Sequence, residues 1–416
     1  MNRRVVVTGL GPLTPIGSGK ESFWDGLIAG KSGVQRVDDA VDLDGIDVKI
    51  GALVTDFNCL DYMDKKRARR IERATQMAIA AARLAINDAK LDLKSIDPYR
   101  ISVLSGTGIG ELKAAIDNLH LLNTDGPRRV SPFFIPQFMP NAIPAEIAIE
   151  FGCKGPNFGI VSACASSAHA LGIAASIIHS NYSDLVIVGG SETLLLRLVY
   201  AGFARMGALS QRNDEPAKAS RPFDLQRDGF VLGEGAGCII LEEFAQARER
   251  GAKIYAELCG FGMSADAAHI TAPAEGGEGA AAAMKMALST AGLVPTDIDY
   301  INAHGTSTLL NDKAETAAIK TVFGGHGYRL KISSTKSQIG HLLGAAGVVE
   351  AIATILTIEH SYIPATINYE YPDPDCDLDY TPVGSDCRVE VALTNSFGFG
   401  GQNATLLFSS SRVRSL

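Results

Sequence analysis

Residues 162–172 read SACASSAHALG and residues 334–344 read STKSQIGHLLG. They align without a gap, pairing Ser162 with Ser334, His169 with His341, Leu171 with Leu343 and Gly172 with Gly344. Each copy follows a short apolar run and opens an Ala/Gly-rich helical stretch. The copies differ where the first has Cys164 and the second Lys336. A second block supports the first: residues 85–108 echo residues 287–307, with Ala85, Leu91 and Ile96-Asp97 matching Ala287, Leu293 and Ile298-Asp299. That match brings Ser105-Gly106-Thr107 opposite His304-Gly305-Thr306. Two blocks repeated in the same order mean a duplicated strand–turn–helix unit, which constrains the fold more than any single motif. The chain is expected to be pseudo-symmetric, with halves that have diverged around a shared site.

Short Val/Ile-rich runs at 5–8, 101–105, 185–188, 238–241, 301–303 and 331–333 alternate with small-residue helices at 74–90, 164–180, 279–291 and 342–358. That alternation predicts an α/β fold with helices covering the sheets. The boundary is placed at 252/253, giving halves 1–252 and 253–416 that share one core, because GAKIYAELCGFG carries no flexible linker. Residues 128–146, rich in Pro and aromatics, are not expected to form a simple helix and suggest an interface or ligand channel.

A length of 416 residues allows a large core. The formal charge of −8 argues against general nucleic-acid binding. No stretch reads as a membrane span, and the N-terminal apolar run reads as a strand, not a signal sequence. Seven cysteines with no CxxC signal neither a disulfide framework nor a zinc site, so a reducing, cytoplasmic location is expected. Gly9-Leu-Gly11 lacks the third glycine of a dinucleotide fingerprint, and Gly19-Lys20 is not a phosphate loop. GEGAG at 233–237 leads into a strand and reads as tight backbone packing. No metal site is expected.

Cys164 falls at the start of a helix that follows a strand. Unpaired N–H groups and the helix dipole there can lower a thiol pKa and hold an oxyanion. His304 and His341 lie in strand-end turns of related units, which converge on one face in a pseudo-symmetric α/β fold. These residues carry a resemblance. VVVTGLGPLTPIG, GPNFGIVSACASSAHALG, RPFDLQRDGFVLGEGAG, AELCGFGMSADAAH, NAHGTST, SSTKSQIGHLLGAAGVVEA and NSFGFGGQN, in order from Val5 to Asn403, resemble the elongating β-ketoacyl-[acyl-carrier-protein] synthases, type II in particular.

The resemblance implies a thiolase-like fold layered α-β-α-β-α, a homodimer, and decarboxylative condensation of an acyl chain with malonyl-carrier protein in fatty-acid elongation. It implies no cofactor beyond the phosphopantetheine on the acyl carrier protein. Cys164 is then the nucleophile. His304 and His341 serve decarboxylation, and the N–H groups of Cys164 and Phe399 hold the oxyanion. Lys336 pairs with Glu350. A continuous helix would separate those two by about 21 Å, so residues 336–341 are expected to be non-helical and to fold back. Thr306 and Thr308 would hold pantetheine. Phe399, beside Gly400, would gate an acyl pocket walled by Ile109 and Phe134, the latter from a second subunit.

Lys65, Lys66, Arg67, Arg69, Arg70, Arg128, Arg129 and Arg205 form a candidate docking patch for an acidic carrier. Ala165, Leu309 and Gln402 depart from the usual pattern, and Leu309 and Gln402 put fine substrate preference in doubt. A degradative thiolase needs a second reactive cysteine near the C-terminal Gly-rich turn, and NSFGFGGQN has none. A polyketide ketosynthase remains an alternative. A non-catalytic chain-length-factor-like subunit would be expected to lack the cysteine.

Overall fold

The computed structural model describes residues 3–410. Five strands of the first half are β1 (Val5–Thr14), β2 (Ile101–Gly106), β3 (Asn157–Ile160), β4 (Leu185–Glu192) and β5 (Gly235–Glu243). Five of the second are β6 (Ala256–Ala265), β7 (Tyr300–Asn302), β8 (Lys331–Ser333), β9 (Val391–Gly398) and β10 (Gln402–Ser409). Their spatial orders are β3-β2-β4-β5-β1 and β8-β7-β9-β10-β6, the same topology twice. In each, the first two pairings are parallel and the last two antiparallel. The two sheets join through β1 and β6, at Val6–Glu257 and Val7–Ala256.

Side chains alternate between faces as strand pleating requires. Leu104, Val186, Val188, Ile239 and Leu241 of the first sheet face the same core as Ala392, Ala404, Leu406 and Phe408 of the second. Between the sheets lie α2 (Ser166–His179) and α5 (Ala346–His360), which pack on each other. Their Ala and Gly content lets two helices and two sheets approach within one core. On the outer faces, α1 (Arg73–Asp88) covers the first sheet, and α3 (Glu278–Ala291) with α4 (Leu309–Phe323) covers the second. The five layers expected from the resemblance are thus present. One segment, Leu343–His360, is long and apolar enough for a bilayer, which the sequence reading did not anticipate, but 89% of it is buried inside the protein.

The second repeat holds in three dimensions. A β-carbon on Gly11 would fall on the carbonyl oxygen of Ala81 in α1, and one on Gly262 on that of Ala283 in α3. Gly9 and Gly260 meet Ala85 and Ala287 in the same way.

The first repeat holds only as a unit, not residue by residue. Leu343 (φ 48°) takes the place of Ala163 (φ 49°), each opening a 3-10 turn that runs into α5 or α2. Gly344, not Lys336, is therefore the counterpart of Cys164. His169 lies within α2, whereas His341 lies ahead of α5. The gap-free alignment fails because the second copy folds an extra turn after its strand. That turn, Lys336–Ile339, is helical, against the expectation, but it ends at Gly340 (φ 69°). His341 then pairs as an isolated bridge with Leu232, so the chain does fold back. GEGAG leads into β5 as expected, and β-carbons on Gly233 and Gly237 would crowd Leu342 and Val348. Residues 128–146 contain only a 3-10 turn, the short helix Phe134–Phe138 and the start of the helix Ala142–Phe151.

The close strand–helix contacts predict a contrast. Gly262→Ala, in contact with the α3 backbone, should destabilise by about 1–3 kcal/mol. Gly202→Ala, with nothing within 4 Å of the new carbon inside the helix Arg197–Arg205, should be neutral or stabilising by up to about 1 kcal/mol. Thermal melts of the two variants check this.

Candidate active site

Cys164 sits in the 3-10 turn between β3 and α2, reached through Ala163 in the left-handed region. Ser166 Oγ holds the turn: it accepts the Ser162 N–H at 2.9 Å and bonds the Ala163 carbonyl at 2.6 Å. Gly398, at the end of β9, packs against the turn, where a β-carbon would lie 3.2 Å from the Cys164 nitrogen. The thiol is buried, 8% exposed. Burial pushes it up to about 11, against the opposing pull of the Lys336 charge and the Phe399 N–H. The helix start therefore does not make a resting thiolate, as the sequence had suggested. Desolvation of the anion outweighs the favourable groups.

His304 and His341 face each other with ring centroids 5.4 Å apart. His341 is held by its backbone: its N–H donates to the Val231 carbonyl at 2.7 Å, and Gly233 N–H donates to its own carbonyl at 3.0 Å. This is the task of the GFVLGEG segment. The Leu343 N–H donates to His341 Nδ1 at 3.2 Å. An Nδ1 that accepts leaves the proton on Nε2. Lys336 Nζ lies 3.3 Å from His304 Nδ1 and donates to the His304 carbonyl at 2.7 Å. An ammonium has no lone pair, so His304 Nδ1 also accepts and Nε2 carries its proton. Burial first, and the Lys336 charge second, hold both imidazoles well below the ordinary histidine value. Both rings are thus neutral N–H donors at pH 7.

Lys336 is 1% exposed and ion-paired with Glu350, which projects from α5. The fold-back at Gly340 makes this pair possible. Burial pushes the Glu350 carboxyl up to about 7, with Lys336 pulling it down.

Two further buried acids were not singled out by the sequence reading. Glu315 on α4 accepts the N–H groups of His304 and Gly305, each at 2.8 Å, and Asp312 accepts that of Thr306 at 3.0 Å. They fix the HGT turn from below. Their signal was an i, i+3 acid pair on a helix otherwise buried on that side.

Cys164, His304, His341 and Glu315 line one cavity of about 440 Å³, together with Ile109, Thr306, Thr308, Phe230 and Phe399. Thr306 Oγ1 and Thr308 Oγ1 lie 2.8 Å apart. Phe399 is 37% exposed in the turn between β9 and β10, where Gly400 (φ 87°) and Gly401 (φ 71°) require glycine. Phe134 does not line the cavity; its ring stacks on Phe138, 5.8 Å away, on the outer surface. Of the basic residues, Lys65, Lys66, Arg69, Arg70, Arg128, Arg129 and Arg205 are exposed. Arg67, which the sequence grouped with them, is instead paired with Glu146 and Glu150. Among the described residues, no group of three or more His, Cys, Asp or Glu is arranged to hold a metal.

The β-ketoacyl synthase N-terminal domain model matches residues 2–247 and the C-terminal domain model residues 255–370. The chain belongs to the β-ketoacyl synthase family. It is 49% identical over 407 residues to the 3-oxoacyl-[acyl-carrier-protein] synthase 2 of Synechocystis, covering 98% of each chain. It is 46% identical to that of Coxiella burnetii at the same coverage. Among solved structures it superimposes, with TM-score 0.90 and 35% identity, on a type II polyketide ketosynthase solved with its acyl-carrier protein, covering 99% of this chain and 100% of that one. As a β-ketoacyl synthase it is a thiolase-fold condensing enzyme of the acyltransferase class.

The buried thiol generates a prediction for this synthase. Iodoacetamide alkylation of Cys164 in the resting enzyme should rise by about tenfold per pH unit from pH 8 to 10. A rate already level by pH 8 would mean a stabilised thiolate.

Proposed function

We propose that the chain catalyses decarboxylative Claisen condensation of an acyl chain, carried on Cys164, with malonyl-[acyl-carrier protein], giving 3-oxoacyl-[acyl-carrier protein] in fatty-acid elongation. The observation that carries this reading is the convergence of one thiol and two neutral Nε2–H imidazoles on one cavity. In the first half-reaction, the Cys164 sulfur adds to the acyl thioester carbonyl. The phosphopantetheine sulfur leaves and takes up the proton that the thiol gives up. The N–H groups of Cys164 and Phe399 hold the oxyanion, and losing one such donor costs roughly 100- to 1000-fold in rate. In the second, the carboxylate carbon–carbon bond of the malonyl group breaks and carbon dioxide leaves. The electron pair moves into an enolate whose oxygen accepts from His304 and His341. Because neither ring is cationic, the carbanion is stabilised without being protonated. It then attacks the Cys164 thioester carbonyl, a carbon–carbon bond forms and the sulfur leaves as a thiolate, which takes a proton from water to restore the resting thiol.

Lys336 keeps His304 in its tautomer, and Glu350 balances the Lys336 charge. Thr306 and Thr308 hold the pantetheine amides, Phe399 gates the pocket between Gly398 and Gly400, and Ile109 walls it. The exposed basic residues Lys65, Lys66, Arg69, Arg70, Arg128, Arg129 and Arg205 receive the acidic carrier. The active form is read as a homodimer of chains with halves 1–252 and 253–416. Support comes from Phe133, Ile135, Phe138 and Met139, which are exposed beside Phe134. A second copy there would put Phe134 at its pocket. The reading needs no cofactor beyond substrate-borne phosphopantetheine. It places the enzyme in the cytoplasm, supported by the seven cysteines, none of which is in a disulfide among the described residues. A polyketide-type ketosynthase is the second reading, supported by the superposition on a type II polyketide ketosynthase with TM-score 0.90.

Intact-protein mass after incubation with saturated acyl-carrier protein, then malonyl-carrier protein, tests the proposal. Acyl addition to the wild type but not to Cys164→Ala, discharged as a 3-oxoacyl product, is the expected result. Absence of any acylation from intact carriers would overturn it.

A further inference from the structure

Glu192, the last residue of β4, is 0% exposed and takes no part in the mechanism above. Its Oε1 accepts from Thr107 Oγ1 at 3.0 Å, Ile109 N–H at 3.3 Å and Gly110 N–H at 3.2 Å. Its Oε2 accepts from Gly108 N–H and from Gly344 N–H, the latter at 3.1 Å. Three consecutive amides, 108 to 110, thus converge on one carboxylate. Such nests bind anions, and here the anion is supplied by the chain itself. Thr107 Oγ1 also accepts the Gly110 N–H at 3.0 Å, closing the turn on itself. The two glycines are required by contact: a β-carbon on Gly108 would lie 2.9 Å from Glu192 Oε2, and one on Gly344 2.6 Å from it.

Pseudo-symmetry gives this contact a meaning. Counting along the matched strand pairs Ile101–Leu185 and Tyr300–Ala392, Glu192 stands at the place of Phe399. Gly344 is the counterpart of Cys164. The Phe399–Cys164 contact of the catalytic half is therefore mirrored by Glu192 on Gly344, where a carboxyl group fills the position. What it fastens is the Thr107–Gly110 turn, which beyond the bond from the Thr107 N–H to the Ile160 carbonyl at 3.2 Å lies outside the sheet and presents Ile109, 42% exposed, to the cavity.

We infer that Glu192 is a positioning residue that fixes the Ile109 wall, and through it the acyl length the pocket accepts. This rests on the condensing reading for its substrate and on the geometry alone for the fastening. Losing the carboxylate leaves buried N–H groups without partners, and the turn must open to water to satisfy them.

Glu192→Gln tests both parts, with circular dichroism as a check on folding. In unliganded protein, hydrogen exchange at Gly108, Ile109 and Gly110 should accelerate at least about tenfold, while the β4 interior keeps its protection. In acylation of Cys164 from carriers bearing graded saturated chains, the ratio of kcat/KM between preferred and non-preferred lengths should fall by about tenfold, the size of effect a methylene produces in an apolar pocket. A general loss of stability would lower all chains alike and leave the ratio unchanged. If the Gln variant does not fold, Thr107→Val removes one donor and should move both readouts in the same direction by less. Unchanged exchange in a folded variant overturns the fastening. Accelerated exchange with an unchanged ratio overturns the control of chain length. If wild type accepts no acyl chain while exchange still accelerates, the condensing reading has failed and the fastening stands.

Discussion

The site depends on one buried ammonium. Lys336 carries its charge at 1% exposure, where desolvation alone would be prohibitive. Glu350 and the His304 carbonyl make that charge tolerable. In return, Lys336 sets the His304 tautomer and, second to burial, helps keep both imidazoles neutral. The pair exists because Gly340 breaks the chain between Lys336 and α5. A buried pair of this kind adds little net stability over apolar packing. Its value is in orienting a proton-bearing ring.

Around that point the duplicated architecture supplies rigidity. Two sheets of identical strand order sandwich α2 and α5, so the turns at the ends of β2, β3, β4, β7, β8 and β9 meet from two directions. Asymmetry then creates function. One half offers Cys164 at the helix start, and the other offers Gly344. One strand end offers Phe399, and the other fills itself with Glu192.

Much of this was readable in the sequence, for physical reasons. Alternating apolar strands and small-residue helices are local signals, and all six expected strand positions and four helices are occupied. Gly11 and Gly262, a pair the sequence reading did not draw, mark the repeat in the structure because close strand–helix contact permits no side chain. Cys164, His304 and His341 stood out because strand-end turns of repeated units converge. What escaped was long-range. The extra turn at Lys336–Ile339 shifts the repeat, and no local pattern marks that shift. The thiol pKa follows from burial, which one turn's sequence does not encode. Glu192, Asp312 and Glu315 look like ordinary surface acids until the backbone amides that surround them are in place.

The central claim is that two neutral imidazoles present Nε2–H to the same point. Nitrogen-15 NMR of histidine-labelled protein, followed from pH 5.5 to 8, tests it most directly. The account predicts that His304 and His341 keep Nε2 protonated and Nδ1 bare throughout, with no titration in that window. Either ring titrating near 6.5, or carrying its proton on Nδ1, would contradict it.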